Sequence, residues 1–405
     1  MKFNNTQKNF IYIVIGQGSG KALTLIYTLM LPRLLGINAY GEFAFFYSIC
    51  LLIIQPIMEL GLDMILVKSV SQGFLEVLSE TITLKGVSAL VLGGIVVFLT
   101  IKLGWPSFIV FNLYAYITLI SIQRTCFAYY RGKENMILES LTIPIEKLLC
   151  IVLTLTLYFS NFSLDYIAPS SLAMSAFVTT ISTFYFCQDL LITDFLKPLL
   201  IINLLERFKE GIYLAGVSIL GLIYFRVDTI MLGMISNFNE VANYNAAFRL
   251  IEGLIFFPSI IMIVYFPKLS KNSENISIYF PKLFKYLTCL GIFLVLIVLL
   301  LSDFVINILY GEEWNASVFL LRSLSLSLCP ICVGHLVTQS LVAINQQKPY
   351  FWMVLFTTLE NILLNLILIP KYNAFGASIA TFLTELTITC LCLYWLYYRQ
   401  KVVII

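Results

Sequence analysis

Charge is what this chain has least of. Only 12% of its 405 residues are Asp, Glu, Lys or Arg, while 60% are hydrophobic. That balance lies outside the range of water-soluble globular domains. Histidine occurs once, at His335, which excludes histidine-rich metal sites. The nine cysteines fall mostly inside apolar runs, so they predict small apolar fillers and no disulfide framework. The Cys329/Cys332 pair flanks Pro330 in such a run and reads as packing beside a kink. No connection between apolar runs exceeds roughly 25 residues, which argues against an enzyme with a large extramembrane domain. Gly16 to Lys21 reads G-Q-G-S-G-K, yet a phosphate-binding loop needs Gly where Ile15 stands and Ser or Thr where Ala22 stands. These glycines are expected to let a helix bend or meet a neighbour closely. Neither a soluble cofactor nor a nucleic-acid signature is present, and the net charge of +3 is too small to imply a polyanionic partner.

What is present is a series of continuous apolar runs, about twenty residues each, the length a helix needs to cross ~30 Å of hydrocarbon. They predict an all-α integral membrane protein of about twelve transmembrane helices. The runs begin near Phe10, Tyr40, Ile82, Ser107, Ile137, Tyr166, Gly211, Tyr244, Leu283, Ser317, Pro349 and Ala374. About fourteen Lys and Arg, from Lys2, Lys8 and Lys68 to Lys348, Arg399 and Lys401, lie on one side. Only about three (Arg33, Lys102, Lys371) lie on the other, which predicts cytoplasmic termini. Residues 189–210 mix charge with Leu and Ile and are expected to form an amphipathic cytoplasmic linker. It would join a six-helix bundle over 1–188 to another over 211–405. A shift of roughly 200 residues aligns Ala44, Phe46, Ile53 and Pro56 with Ala246, Phe248, Ile255 and Pro258, as in transporters with internal repeats.

Intramembrane charges are costly, at least ~2.5–3.5 kcal/mol each near the bilayer centre, so they mark candidate sites. Between Tyr224 and Ser270 the chain places Arg226, Asp228, Arg249 and Glu252 in one helical hairpin. Arg249 and Glu252 share a helix face, as an ion pair or a substrate contact, whereas Arg226 and Asp228 diverge. Lys21 sits mid-helix, facing a cavity or paired with Glu59 or Asp63. Arg226 occupies the matching place in the second half, which suggests a shared anion site. Arg124 and Arg322 lie near helix ends, within snorkelling reach. Adjacent Glu146 and Lys147 are expected to face apart. His335, Glu360 and Glu385 are candidate proton carriers. Asp303 with Glu312 and Glu313 reads as a solvated loop, and no metal site is expected.

The runs R-V-D-T-I-M-L-G (226–233), Y-N-A-A-F-R-L-I-E (244–252), F-P-S-I-I (257–261) and F-P-K-L-S (266–270) resemble the signature region of polysaccharide-unit flippases. These are the Wzx-type O-antigen transporters of the multidrug/oligosaccharidyl-lipid/polysaccharide exporter superfamily. Weaker similarity covers L-P-R-L-L-G-I-N-A-Y-G-E-F (31–43), E-L-G-L-D (59–63) and N-L-I-L-I-P-K-Y-N-A-F-G-A-S-I-A-T (365–381). The chain departs from the pattern at Ala242 and Asn243, where a Gly-containing turn is expected. The resemblance implies a MATE-like pair of bundles related by pseudo-two-fold symmetry in the bacterial inner membrane. It also implies a polyprenyl-diphosphate-linked oligosaccharide as substrate, with membrane lipids around it and polysaccharide polymerase and chain-length machinery as partners. On that reading Lys21, Arg226, Arg249, Arg124 and Lys147 are substrate-binding candidates. Asp228, Glu252, Asp63, Glu59, His335 and Glu360 are coupling or ion-pair candidates. A cation-coupled drug exporter of the same fold and a membrane polymerase or acyltransferase are the competing expectations.

Overall fold

The computed structural model describes residues 5–59, 62–71, 73, 77–187, 201–269, 273–344 and 346–399. Among these, the secondary structure is helical with no strand. This is how apolar runs satisfy their backbone groups where no water is available. In chain order the helices are α1 (Asn5–Glu59), α2 (Leu62–Ser71), α3 (Val77–Leu103), α4 (Ser107–Gly132), α5 (Ile137–Phe159) and α6 (Leu164–Phe186). Then follow α7 (Ile201–Ile235), α8 (Phe238–Leu254), α9 (Phe256–Leu269), α10 (Ser273–Leu309), α11 (Asn315–Ser325), α12 (Leu328–Ala343) and α13 (Gln347–Tyr394).

Two of these helices are really pairs. Helix α1 breaks at Gly36, whose φ of 74° costs a glycine little, and α13 breaks at Asn373, φ 50°, a residue type that tolerates left-handed backbone. Seven helical stretches are long and apolar enough to cross a membrane, and the bent α11–α12 pair makes an eighth. Dividing α1 and α13 at their breaks raises the number to ten, and α4 and α7, 26 and 35 residues long, stand where the remaining two apolar runs begin. The expected linker at 189–210 lies outside the described residues up to 200, and 201–210 form the start of α7.

The chain divides into two compact units, 1–35 with 46–215 and 36–45 with 216–405. The second unit therefore includes a short piece from the first half of the sequence, residues 36–45, that no composition shift marks.

In the first unit the buried side of α4 carries Thr118, Ser121, Gln123 and Thr125, and α6 buries Ser170, Ser171, Ser175 and Thr179. Most such hydroxyls return their proton to a backbone carbonyl within their own helix, as Thr100 does to Val96 O at 2.6 Å. Close helix contact is set by small residues: a Cβ on Gly16 would lie 2.4 Å from Ser140 Cα, and one on Gly20 would lie 2.5 Å from Ile143 Cγ2. Gly18, between them, meets nothing within 4 Å. The glycines of the G-Q-G-S-G-K run thus seat α1 on α5.

In the second unit one end is tied together by polar contacts. Asn237 caps α8 by accepting from Glu240 N at 3.0 Å, Ser236 Oγ reaches Asn373 Oδ1 at 3.0 Å, and Ala374 N donates to Glu240 Oε2 at 3.1 Å. At Gly41 a Cβ would lie 2.0 Å from Phe238 O, so only glycine fits there. These bonds fix where α7, α8 and both halves of α13 begin or end.

Candidate functional site

With those ends fixed, Asp228 on α7, Tyr244 on α8, and Asn365 and Thr381 on the two halves of α13 each lie about two helical turns in from the same end. They converge. Tyr244 Oη donates to Asp228 Oδ2 at 2.7 Å, Thr381 Oγ1 to the same oxygen at 2.8 Å, and Asn365 Nδ2 to Asp228 Oδ1 at 2.6 Å. Asn365 also reaches Asn361 Oδ1 at 3.1 Å, and the Tyr244 and Thr381 hydroxyls lie 3.1 Å apart. All five side chains are buried, and Asn365 is fully so. Three neutral donors thus satisfy one carboxylate inside the unit, a costly arrangement unless the carboxylate has work to do. Among the described residues, Asn365 Oδ1 and Asn361 Nδ2 are buried without a hydrogen-bond partner. An oxygen-rich set with one carboxylate suits a proton or a small hard cation better than a transition metal.

One turn further from that end, Tyr224 Oη donates to Glu385 Oε1 at 2.9 Å. Thr387 Oγ1 donates to Glu360 Oε1, also at 2.9 Å, while Glu360 Oε2 is buried without a partner. Glu360 and Glu385, 13 and 12 residues from the break at Asn373, thus lie at about one level, a turn beyond Asp228. Arg249 pairs with Glu252 at 2.6 Å along its own helix, the ion-pair alternative. Arg226 is half-buried on α7, and His335 is half-buried on α12.

The first unit holds four cations against carboxylates. Lys85 on α3, fully buried, binds Asp63 Oδ1 at 2.8 Å and Ser121 O at 2.9 Å, and Thr125 also reaches Asp63 at 3.3 Å. Arg124 pairs with Glu59, which Gln55 also contacts at 3.0 Å. Arg131 forks onto Glu139 with its Nε at 2.6 Å, and Gln17 Nε2 joins the same carboxylate at 3.3 Å. Lys147 binds Glu146 at 2.7 Å and Tyr116 Oη at 3.2 Å.

Of the carboxylates offered to Lys21 as partners, Asp63 holds Lys85 and Glu59 holds Arg124, and Lys21 is exposed. Two expectations need correction. Glu146 and Lys147 do not diverge, because the long lysine stem curls back to the neighbouring carboxylate. Arg322 reaches Ser302 Oγ at 2.7 Å and Asp303, so Asp303 belongs to an ion pair.

Lys85 and the donors to Asp228 were not singled out from the sequence. A signal existed for the donors: Tyr244 opens one of the motif runs, and Asn365 and Thr381 bound another. Among the described residues, no group of three His, Cys, Asp or Glu is placed to hold a metal ion.

Helices of membrane-crossing length packed into two units, one with a buried carboxylate cluster, define a multi-pass integral membrane protein. The fold is that of known transporters. It superposes on the lipid II flippase MurJ in its inward closed conformation with a TM-score of 0.77, at 16% identity over 95% of this chain and 87% of that one. It also superposes on an inward-facing multidrug resistance MATE family transporter of the MOP superfamily with a TM-score of 0.72, at 15% identity over 94% of each chain. The polysaccharide biosynthesis protein family matches residues 6–273, and the chain belongs to that family. It is 31% identical over 170 residues to the probable flippase AglR of Haloferax volcanii. That match covers 40% of this chain and spans about a third, 35%, of the relative's length.

Proposed function

We propose that this protein is a flippase that carries polyprenyl-diphosphate-linked oligosaccharide units from the cytoplasmic to the outer leaflet of the bacterial inner membrane, for O-antigen or related surface polysaccharide. One observation carries the reading: a member of a polysaccharide biosynthesis family is built of membrane-spanning helices in a transporter fold. Such a chain contributes to glycan synthesis by moving its substrate, not by making bonds. The names of AglR, a probable flippase, and MurJ, a lipid II flippase, support the same direction.

A diphosphate with attached sugars cannot cross hydrocarbon unaided, because its charges and hydroxyls lose their water. On this reading Lys21 of the first unit and Arg226 of the second are each candidates to contact anionic substrate, and charge-assisted hydrogen bonds offset that loss. The Asp228 cluster is the coupling element. Its carboxylate ties α7 to α8 and to both halves of α13, so adding or removing one positive charge there changes how those helices are held. The cycle is alternating access, with both termini in the cytoplasm. Polymerase and chain-length machinery would receive the outward-facing unit.

The test is a deletion strain complemented with variants. Deletion should abolish surface glycan and leave lipid-linked units facing the cytoplasm, and Lys21→Ala or Arg226→Ala at normal protein level should fail to restore display. Undiminished display in the deletion strain would refute the reading. The MATE likeness favours drug export as a second reading. Greater drug susceptibility of the deletion strain with normal glycan display would support it instead.

A further inference from the structure

The second unit has a groove of about 570 Å³ where α13 begins and where it ends. It lies at the opposite end of the unit from Asn373, the end that the lysine and arginine distribution assigns to the cytoplasm. Its lining is graded along the helix. Lys348, Trp352 and Phe356 follow one another a turn apart on the first half of α13, and Trp395 and Leu391 do so where it ends. From Lys348 to Phe356 the rise is about 12 Å. At the end where Lys348 stands, Trp395 Nε1 donates to Gln346 Oε1 at 3.4 Å. Lys348 is exposed there, and Trp352 and Phe356 are each 57% exposed beside it.

A cation at the rim, indoles at the level of the headgroups and an apolar floor match a membrane lipid in order and polarity. Lys348 sets the sign of the head. We propose that this groove is a binding site for an anionic phospholipid of the cytoplasmic leaflet, with its phosphate at Lys348 and one acyl chain between Trp352, Phe356 and Leu391. The site is independent of the transported substrate and does not rest on the flippase reading. It differs from the general lipid coat in selecting by headgroup charge and in retaining its occupant through purification.

The experiment is native mass spectrometry of the full chain released from vesicles of equal parts phosphatidylglycerol and phosphatidylcholine. The unaltered protein should keep one phosphatidylglycerol in preference to phosphatidylcholine. Lys348→Ala should cut that preference about fivefold, the factor one lysine contributes near an anionic surface. Leu391→Trp, which fills the floor, should lose both lipids while eluting as a monodisperse protein. Equal retention of the two lipids by the unaltered protein, or an unchanged preference in Lys348→Ala, would overturn the proposal. Displacement of the phosphatidylglycerol by an equimolar polyprenyl diphosphate would also overturn it, because the groove would then belong to the substrate's lipid.

Discussion

Replacing Asp63 by Asn removes one charge of the Lys85 pair and leaves the side chain nearly the same size. Lys85 is fully buried and also donates to the neutral Ser121 carbonyl at 2.9 Å, so in the variant its ammonium loses its carboxylate counter-ion. Removing one member of a buried ion pair costs about 3–5 kcal/mol. Asp63 is 26% exposed, so water recovers part of the loss and the low end applies, about 3 kcal/mol. The folded fraction relative to unfolded should thus fall by about two orders of magnitude. Unfolding in mixed detergent, followed by circular dichroism, reads this directly. The double variant Asp63→Leu with Lys85→Met removes both charges and should recover most of the stability, for a coupling of at least about 2 kcal/mol. If Asp63→Asn unfolds within about 0.5 kcal/mol of the unaltered protein, the pair is not holding α2 and α3 together and the argument fails.

Other changes have equally definite outcomes. Gly16→Ala pushes its new methyl against Ser140 and should destabilise by about 1–3 kcal/mol, whereas Gly18→Ala meets nothing and should be neutral or stabilising by up to about 1 kcal/mol; thermal unfolding of the pair checks both. Asp228→Asn keeps the size of the side chain but fixes its charge, so the protein should accumulate in the membrane at normal level with glycan display reduced at least tenfold, measured by surface-polysaccharide staining. Exchanging Arg249 and Glu252 keeps their mutual pair, so unchanged display would assign them a structural role and lost display a direct contact with substrate.

Much of the fold was legible because the bilayer imposes one dominant rule: an apolar run of about twenty residues becomes a helix. Each of the twelve runs begins on a helix, and the breaks at Gly36 and Asn373 fall where loops were expected. Ion pairing was less legible. Whether Asp63 meets Lys21 or Lys85 depends on how helices pack side by side, and periodicity along one helix carries no such information. Mid-helix position alone marked Lys21, as a cavity residue or a partner of Glu59 or Asp63, whereas Lys85 lies eight residues into α3 and carries no such mark. Asp228 stood out as a costly charge, yet Asn365 and Thr381, which hold it, are 137 and 153 residues away and separated from each other by the break at Asn373. The return of α13 on itself brings them together.

The most direct measurement of the central claim uses purified protein in sealed liposomes that carry a fluorescent polyprenyl-diphosphate oligosaccharide. A membrane-impermeant glycosidase then reports how much substrate lies in the outer leaflet. The account predicts that the unaltered protein makes the inner-leaflet pool accessible within minutes, while Asp228→Asn and Arg226→Ala leave it protected as in empty liposomes. Protection unchanged by the unaltered protein, under an imposed proton or sodium gradient of either direction, would contradict it.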